Sequence, residues 1–415
     1  MEANVSFDRT LVAVQVDDTV HVMLELTAPA APEAQRRPLD LVLVLDRSGS
    51  MAGDPLDAVK AATQQLLRRL GADDRLAVVA FDDTAQLVLG LQHHDADAAC
   101  DRVDRIDDGG STNLSGGWLK ALEIVRAQGR ADALRRIVLL SDGHANVGIT
   151  DPEALAALAA SANVDGLSTS TIGFDDGYDE VLLAAIADAG AGNDYFCGGP
   201  DQAPAVFAAE FEGLLSVVAQ NVSVELRPTE VVTDWGVLNE FPIVHVDGGM
   251  QVQLGDAYGG ERRRVVAALQ LAPQTSTGPI TVGQMVLRWA SVVGQVALHT
   301  VTIPLVIGVT DEPLDATVVN AEVVEQVDVL KAAAERRKAD EAMRRGDLGG
   351  AAVSFRIAAS MLSSRSSFDE YDDEVSELLA DADRLEAGDI DPNMVKRQHS
   401  LRRQSMKGRK KRFDS

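Results

Sequence analysis

The sequence predicts an α/β unit with a mostly parallel sheet and helices on both faces, joined to an antiparallel β-sandwich-like unit and a C-terminal helical segment. Three observations predict it. Residues 39–45 form an almost continuous apolar run, as expected of a strand buried on both faces. From there to residue 219, such runs alternate with stretches of helical periodicity, which is the pattern of a parallel sheet with crossover helices. After residue 220 the alternation stops, strand follows strand, and beyond residue 313 the chain turns helical.

The elements follow in order. Residues 10–16 and 19–27 are rich in Val and Leu, split by Asp17-Asp18, and read as a hairpin. Residues 28–38 contain three prolines and read as a linker. An isolated hairpin is marginal, so this one is expected to join the later β unit and make the α/β unit an insertion; the alternative is that it covers an edge of the α/β sheet. Strands are expected at 39–45, 75–81, 136–140, 169–174 and 195–196, and helices at 54–70, 114–127, 150–162, 179–189 and 201–219. Thr150 and Asp151 offer caps, and Pro152 suits a first helical turn. The sandwich-like unit is expected to use strands at 221–227, 243–246, 251–254, 262–271, 281–290 and 295–309. Helices are expected at 318–345, 351–362 and 371–385. The domain reading is therefore 1–38 hairpin and linker, 39–219 α/β unit, 220–312 β unit, 313–390 helical unit and 391–415 a basic, disordered tail.

Bulk properties limit the function. The chain has 415 residues and a formal net charge of −26. A surface this acidic argues against general nucleic-acid binding. The charge is uneven: residues 396–415 hold nine Lys/Arg and one acid, Asp414. Two cysteines, Cys100 and Cys197, in so long a chain suit a reducing compartment. The sequence has no apolar run of the roughly 18 residues that a membrane helix needs. Residues 1–8 lack the basic and apolar regions of a secretory signal. The expectation is a cytoplasmic, bacterial protein.

The chemistry concentrates at the end of the first buried strand. There the chain reads Asp46-Arg47-Ser48-Gly49-Ser50. In open α/β folds, ligands bind at the carboxyl ends of the strands. One carboxylate and two hydroxyls on alternate loop residues can face a common centre, and hard oxygens of this kind suit Mg2+, Mn2+ or Ca2+ rather than Zn2+. Further on, Thr112 lies in Gly109-Gly110-Ser111-Thr112-Asn113, just before a helix, and Asp142 follows a strand in Ser141-Asp142-Gly143.

Asp46, Ser48, Ser50, Thr112 and Asp142 resemble, in order and spacing, the metal-ion-dependent adhesion site of von Willebrand factor A (VWA) domains. The resemblance covers residues 39–219 and departs at none of the five positions. It implies a bound divalent cation, Mg2+ by preference, with one coordination position left for a partner's Asp or Glu. The order of units also resembles bacterial intracellular VWA proteins that carry a VWA-associated domain.

Other motifs have plainer readings. Asp142 alone would be a turn or cap residue. His144 is a loop histidine, His93-His94-Asp95 a polar loop before a helix, and Asp107-Asp108 a cap or solvated loop. Cys197 has no His partner at a familiar spacing. No P-loop, His-Glu-x-x-His or Gly-x-Ser-x-Gly element occurs. Ser400, after Lys396-Arg397, and Ser405, with Arg402 and Arg403 three and two positions earlier, are candidate phosphorylation sites. The tail is a candidate to contact an acidic surface, anionic lipid or the protein's own acidic body. The expected function is cation-dependent protein binding without catalysis. The alternatives are a regulatory subunit of an AAA+ ATPase or chelatase-type complex, and a metal-dependent hydrolase acting through Asp46.

Overall fold

The computed structural model describes residues 1–31, 37–142, 145–174, 178–199, 202–293, 296–312, 319–363, 371–388, 398, 401–403 and 405–407. The chain starts in a β-sandwich, leaves it for the α/β unit, and returns. Strands β1 (Glu2–Phe7), β2 (Leu11–Ala13) and β3 (Asp18–Thr27) come first. The α/β unit then runs β4 (Leu39–Asp46), α1 (Asp54–Arg69), β5 (Arg75–Phe81), β6 (Ala85–Gln92), α2 (Ala96–Asp104) and α3 (Leu114–Gln128). It continues with β7 (Leu134–Ser141), α4 (Pro152–Val164), β8 (Leu167–Phe174), α5 (Glu180–Ala189), β9 (Ala191–Cys197) and α6 (Ala203–Leu215).

Its sheet has the order β6-β5-β4-β7-β8-β9. Only β6 runs antiparallel, against β5; the other pairs are parallel. The apolar run in β4 reflects two buried faces. Leu39, Leu41, Leu43 and Leu45 pack with Leu56, Val59 and Leu66 of α1, whereas Val42 and Val44 pack with Leu114, Trp118 and Val125 of α3. The order reverses at β4: α1 carries the chain to β5 on one side, and β7 lies on the other. Such a switch point opens a crevice beyond the strand ends.

The sandwich is completed by β10 (Val217–Pro228), β11 (Val232–Val237), β12 (Ile243–Val246), β13 (Gly249–Tyr258), β14 (Arg262–Leu271), β15 (Gly278–Ser291) and β16 (Ala297–Thr310). One sheet is β1-β3-β14-β11 and the other β12-β13-β10-β15-β16-β2. Val20, Val22, Leu24 and Leu26 of β3 face a shared core with Val224, Leu226, Val252 and Leu287 of the opposite sheet. The outward residues Met23 and Val266 are also buried, against Val323, Val327 and Leu330 of α7 (Ala321–Arg344). Helices α8 (Leu348–Ser363) and α9 (Asp372–Glu386) pack beside α7 around Phe355, Leu362 and Leu378.

Two expectations are corrected. The hairpin of residues 10–16 with 19–27 does not form. Strand β3 pairs instead with β1, in the register Glu2↔Thr27 to Phe7↔Val22. Strand β2 crosses to the opposite sheet and runs parallel to β16. Strand β1 carries the polar residues Asn4 and Ser6, which its partly exposed edge position tolerates. The tail is also not wholly structureless. Arg402, Arg403, Met406 and Lys407 are packed against the folded units, because acidic side chains there take up the tail's cations. Among the described residues, no helix is long and apolar enough to cross a membrane.

At the opposite end of β4 from the loop at Asp46, Asp40 is fully buried. It accepts from Arg75 Nε (2.8 Å) and Nη2 (2.6 Å) and from Arg130 N (2.7 Å) and Nη2 (2.7 Å). Burial alone would raise its carboxyl pKa, but the two arginines outweigh burial and hold it below the usual 3.8. The ion pairs therefore stabilise the fold above that pH and are lost as pH falls through the folded-state value. Asp40→Asn is expected to cost about 2–3 kcal/mol at neutral pH, since it strands two partly exposed guanidinium groups. Urea unfolding checks this, and the difference from wild type should shrink below about pH 4.

Candidate metal centre

Three loops meet at the switch point. The first leaves β4 at Asp46 and forms a single 3₁₀ turn, Gly49–Met51, anchored by the buried Met51. The second, residues 105–113, leads into α3, whose N-terminus Asn113 caps by accepting from Gly116 N (2.9 Å). The third follows β7 at Asp142.

Backbone hydrogen bonds join the first two loops: Gly49 N donates to Gly110 O (3.2 Å) and Gly109 N to Arg47 O (2.8 Å). Arg47 reinforces them by donating from Nη2 to Asp82 Oδ2 (2.5 Å) and from Nη1 to Asp107 O (3.1 Å). Ser111 N donates to Asp83 Oδ1 (3.0 Å) and Asn113 N to Asp82 O (2.9 Å). Asn146 ties the third loop to the second: its Oδ1 accepts from Thr112 N (3.0 Å), and its N donates to Thr112 O (3.2 Å).

Four of the five expected residues form one hydrogen-bonded chain. Ser48 N donates to Asp46 Oδ1 (2.9 Å), Ser48 Oγ lies 3.2 Å from Ser50 Oγ, and Ser50 Oγ donates to Asp142 Oδ1 (2.8 Å). Thr112 is brought to the same place through its backbone. Among the described residues its hydroxyl has no hydrogen-bond partner, although the residue is buried. Ser50 stays exposed.

Asp46 is 0% exposed. Its Oδ2 accepts from Ser141 Oγ (2.6 Å). Burial raises its pKa, the neighbouring Asp82 charge adds to the rise, and the Ser141 and Ser48 bonds only partly oppose it. Among the described residues no cation pairs with this carboxylate. A buried charge without a counter-charge is costly, and a divalent cation would compensate it. The donors are carboxylate and hydroxyl oxygens, with no His or Cys, so the residues fit a hard cation. Among the described residues no group of three or more His, Cys, Asp or Glu forms a competing metal cage.

Sequence reasoning missed Ser141, Arg47, Asp82 and Asn146. The signal for Ser141 was present, a serine ending a buried strand beside Asp142. The other three act through contacts between loops that are distant in sequence. His93 and His94 hold the turn after β6, His94 Nε2 lying 2.9 Å from both Leu76 O and Gly90 O, while Asp95 caps α2. Cys197 is buried, with Sγ 3.2 Å from Gly199 O. His144 and Ser400 lie outside the described residues. Ser405 follows α9, where its Oγ donates to Leu401 O (3.2 Å).

Comparison with known proteins agrees with this geometry. A Synechocystis sp. protein, sll0103, is 30% identical over 353 residues, covering 81% of each chain. The sequence profile of the von Willebrand factor type A domain matches residues 40–205. The chain belongs to the VWA family. A VWA protein from Catenulispora acidiphila shares the fold of the whole chain, with a TM-score of 0.76 at 19% identity over 98% of this chain and 96% of that one. The VWA2 paralogue of ArnB from Sulfolobus acidocaldarius gives 0.63 at 16% identity over 98% of both chains. At these identities the likeness is one of fold. The VWA domain is the α/β unit described above, and the flanking sandwich and helices recur with it.

Gly110 holds the second loop of the VWA domain in place. Its φ is +69°, and an added Cβ would lie 2.7 Å from Asp83 Oδ2 and 3.0 Å from Asp82 Cβ. Gly53, at φ +82°, has open space around that position. Gly53→Ala should therefore cost about 1–3 kcal/mol, from backbone strain alone, because its φ +82° and ψ −133° favour glycine. Gly110→Ala should cost more, because the Asp82 and Asp83 contacts must also shift. Denaturant unfolding of the two variants checks the order.

Proposed function

We propose that this chain is a cation-dependent protein-binding module. In this reading Asp46, Ser48, Ser50, Thr112 and Asp142 hold a divalent cation, Mg2+ by preference over Mn2+ or Ca2+, and the site binds an Asp or Glu side chain of a protein partner. When bound, the cation supplies a positive centre that can accept a partner carboxylate. VWA domains are protein-interaction modules, and this reading specifies how the present chain would engage a ligand.

The observation that carries the proposal is the buried Asp46 carboxylate, which lacks a cationic partner among the described residues. The chain's own residues divide the work. Ser141 and the Ser48 amide orient Asp46 from behind. The Thr112 hydroxyl is left uncommitted, and exposed Ser50 forms the rim. The acidic surface makes the cation a condition for binding an acidic partner: at −26 overall, the bare protein repels such a ligand. Binding rather than catalysis is favoured because the hydroxyls are joined to carboxylates, with no imidazole in contact among the described residues. Two free cysteines, both buried, fit a cytoplasmic setting.

The test is Mg2+ and Mn2+ titration by calorimetry into chelator-treated protein. Wild type should bind one equivalent, and Asp46→Ala should not bind. Ser141→Ala should weaken affinity by roughly 10- to 100-fold, the usual weight of a group that orients a ligand. A lysate pull-down with Mg2+, with EDTA and with Asp46→Ala then reads the partner. Retention only by wild type in Mg2+ supports the proposal; equal retention in all three conditions overturns it.

A further inference from the structure

The described residues that follow α9 touch all three units. Buried Gln398 donates from Nε2 to Asp381 Oδ2 of α9 (2.8 Å). Residues 401–403 and 405–407 carry helical hydrogen bonds: Lys407 N donates to Arg403 O (3.0 Å) and Ser405 Oγ to Leu401 O (3.2 Å).

Cations on this turn meet acids on other elements. Arg403 donates from Nε to Asp194 Oδ2 (2.7 Å) of β9 and from Nη2 to Asp194 Oδ1 (2.8 Å) and to Asp188 Oδ1 (2.7 Å) of α5. Lys407 Nζ lies 3.0 Å from Asp194 and 3.2 Å from Asp188. Arg402 sits 3.7 Å from Glu240 of the sandwich and 4.0 Å from Asp340 of α7. Met406 is buried with Met23, Val266, Val323 and Val327, and its carbonyl accepts from Asn239 Nδ2 (3.0 Å).

Burial alone would raise the Asp194 carboxyl; Arg403 and Lys407 overcome it and hold the group far below the usual carboxylate range. The turn is thus a strap whose seat is acidic at four points and apolar at one.

The same residues carry a second message. Arg402 and Arg403 stand three and two positions before Ser405, the spacing that an arginine-directed serine kinase reads. In the docked strap both guanidinium groups are already held by acids, so they are hidden from such a kinase. We propose that Arg402, Arg403, Met406 and Lys407 form a releasable strap and that Ser405 is a phosphorylation site whose modification holds the strap undocked.

The kinase draws on a nucleoside triphosphate. A bond forms between Ser405 Oγ and the γ-phosphorus, the bond from that phosphorus to the β-phosphate oxygen breaks, the hydroxyl proton passes to the kinase's base, and nucleoside diphosphate leaves. The product opposes redocking in two ways. It adds about −1.5 to −2 charges to a segment whose seat is Asp188, Asp194, Glu240 and Asp340. It also offers Arg402, three residues back on the same helical face, a phosphate in place of Glu240 and Asp340. Release uncovers the acid pair on α5 and β9 and the apolar seat of Met406 together, a surface that becomes available only on modification.

The test uses the full chain with ATP and an arginine-directed serine kinase as probe. Mass spectrometry reads phosphate on Ser405, and trypsin reads exposure of Arg402 and Arg403. Lys407→Gln removes a strap cation without touching the kinase motif. It should be phosphorylated roughly two- to fivefold faster than wild type, the weight of losing one ion pair, and the phosphorylated protein should be cut faster at both arginines by a similar factor. Asp188→Asn/Asp194→Asn should act like Lys407→Gln; if circular dichroism shows that it unfolds, Lys407→Gln decides alone. Equal rates for wild type and Lys407→Gln, no phosphate on Ser405 in either, or a phosphorylated protein as protected as the unmodified one would each overturn the proposal.

Discussion

A carboxylate buried at the end of a central strand sets the terms for the rest of this molecule. Asp46 lies where the sheet order reverses, with β5 on one side and β7 on the other. It is enclosed because both faces of β4 are covered by helices, which places its charge in a low-dielectric setting. A carboxylate can persist there only with donors arranged around it, and Ser48 and Ser141 supply two. The loops that complete the surroundings are in turn fixed by Arg47, Asp82 and Asn146. The site is therefore held by residues that are not themselves donors to its centre.

The insertion of the VWA domain into the sandwich gives that site a rigid base. The domain's two ends must both reach the sandwich, and buried polar contacts fasten the junction. Arg136 at the start of β7 pairs with Asp256 of β13, both nearly inaccessible to solvent. Asn193 of β9 donates to Glu210 of α6 (3.0 Å) and to Tyr258 at the end of β13 (2.9 Å). These contacts lie away from the loop end of the sheet, so the binding end of the VWA domain is left open. The segment after α9 adds a third fastening, through Arg403 and Lys407. Unlike the other two, it rests on a few side chains of one short turn, and it is the fastening that can open without unfolding either domain.

Much of the fold and the site was legible in the sequence. The apolar run of β4 declares a doubly buried strand, because a strand covered on both faces favours apolar side chains throughout its middle; its two aspartates, Asp40 and Asp46, stand near and at its ends. That Asp46, Ser48, Ser50, Thr112 and Asp142 meet was legible because they stand on loops at the ends of strands or before a helix. Strands β12 and β14 matched their expected bounds, each lying between turn residues. Strand β1 and β11 were not legible: each lies at a sheet edge, where burial asks little of the sequence and polar residues blur the alternation.

The sequence by itself determined the central strands and most helices of the VWA domain, and which oxygens stand at its loops, since local periodicity and side-chain chemistry decide both; the edge strand β6, the short helix α2 and the end of α6 at Leu215 needed the structure. Only the tertiary structure decided that β3 pairs with β1 and β14 rather than with residues 10–16, because strand pairing depends on which apolar face finds a core. It also decided that Ser141 rather than a more distant group backs Asp46. And it decided that the basic segment ends on Asp188 and Asp194, since a run of like charges specifies its need for acids but not which acids the fold brings within reach.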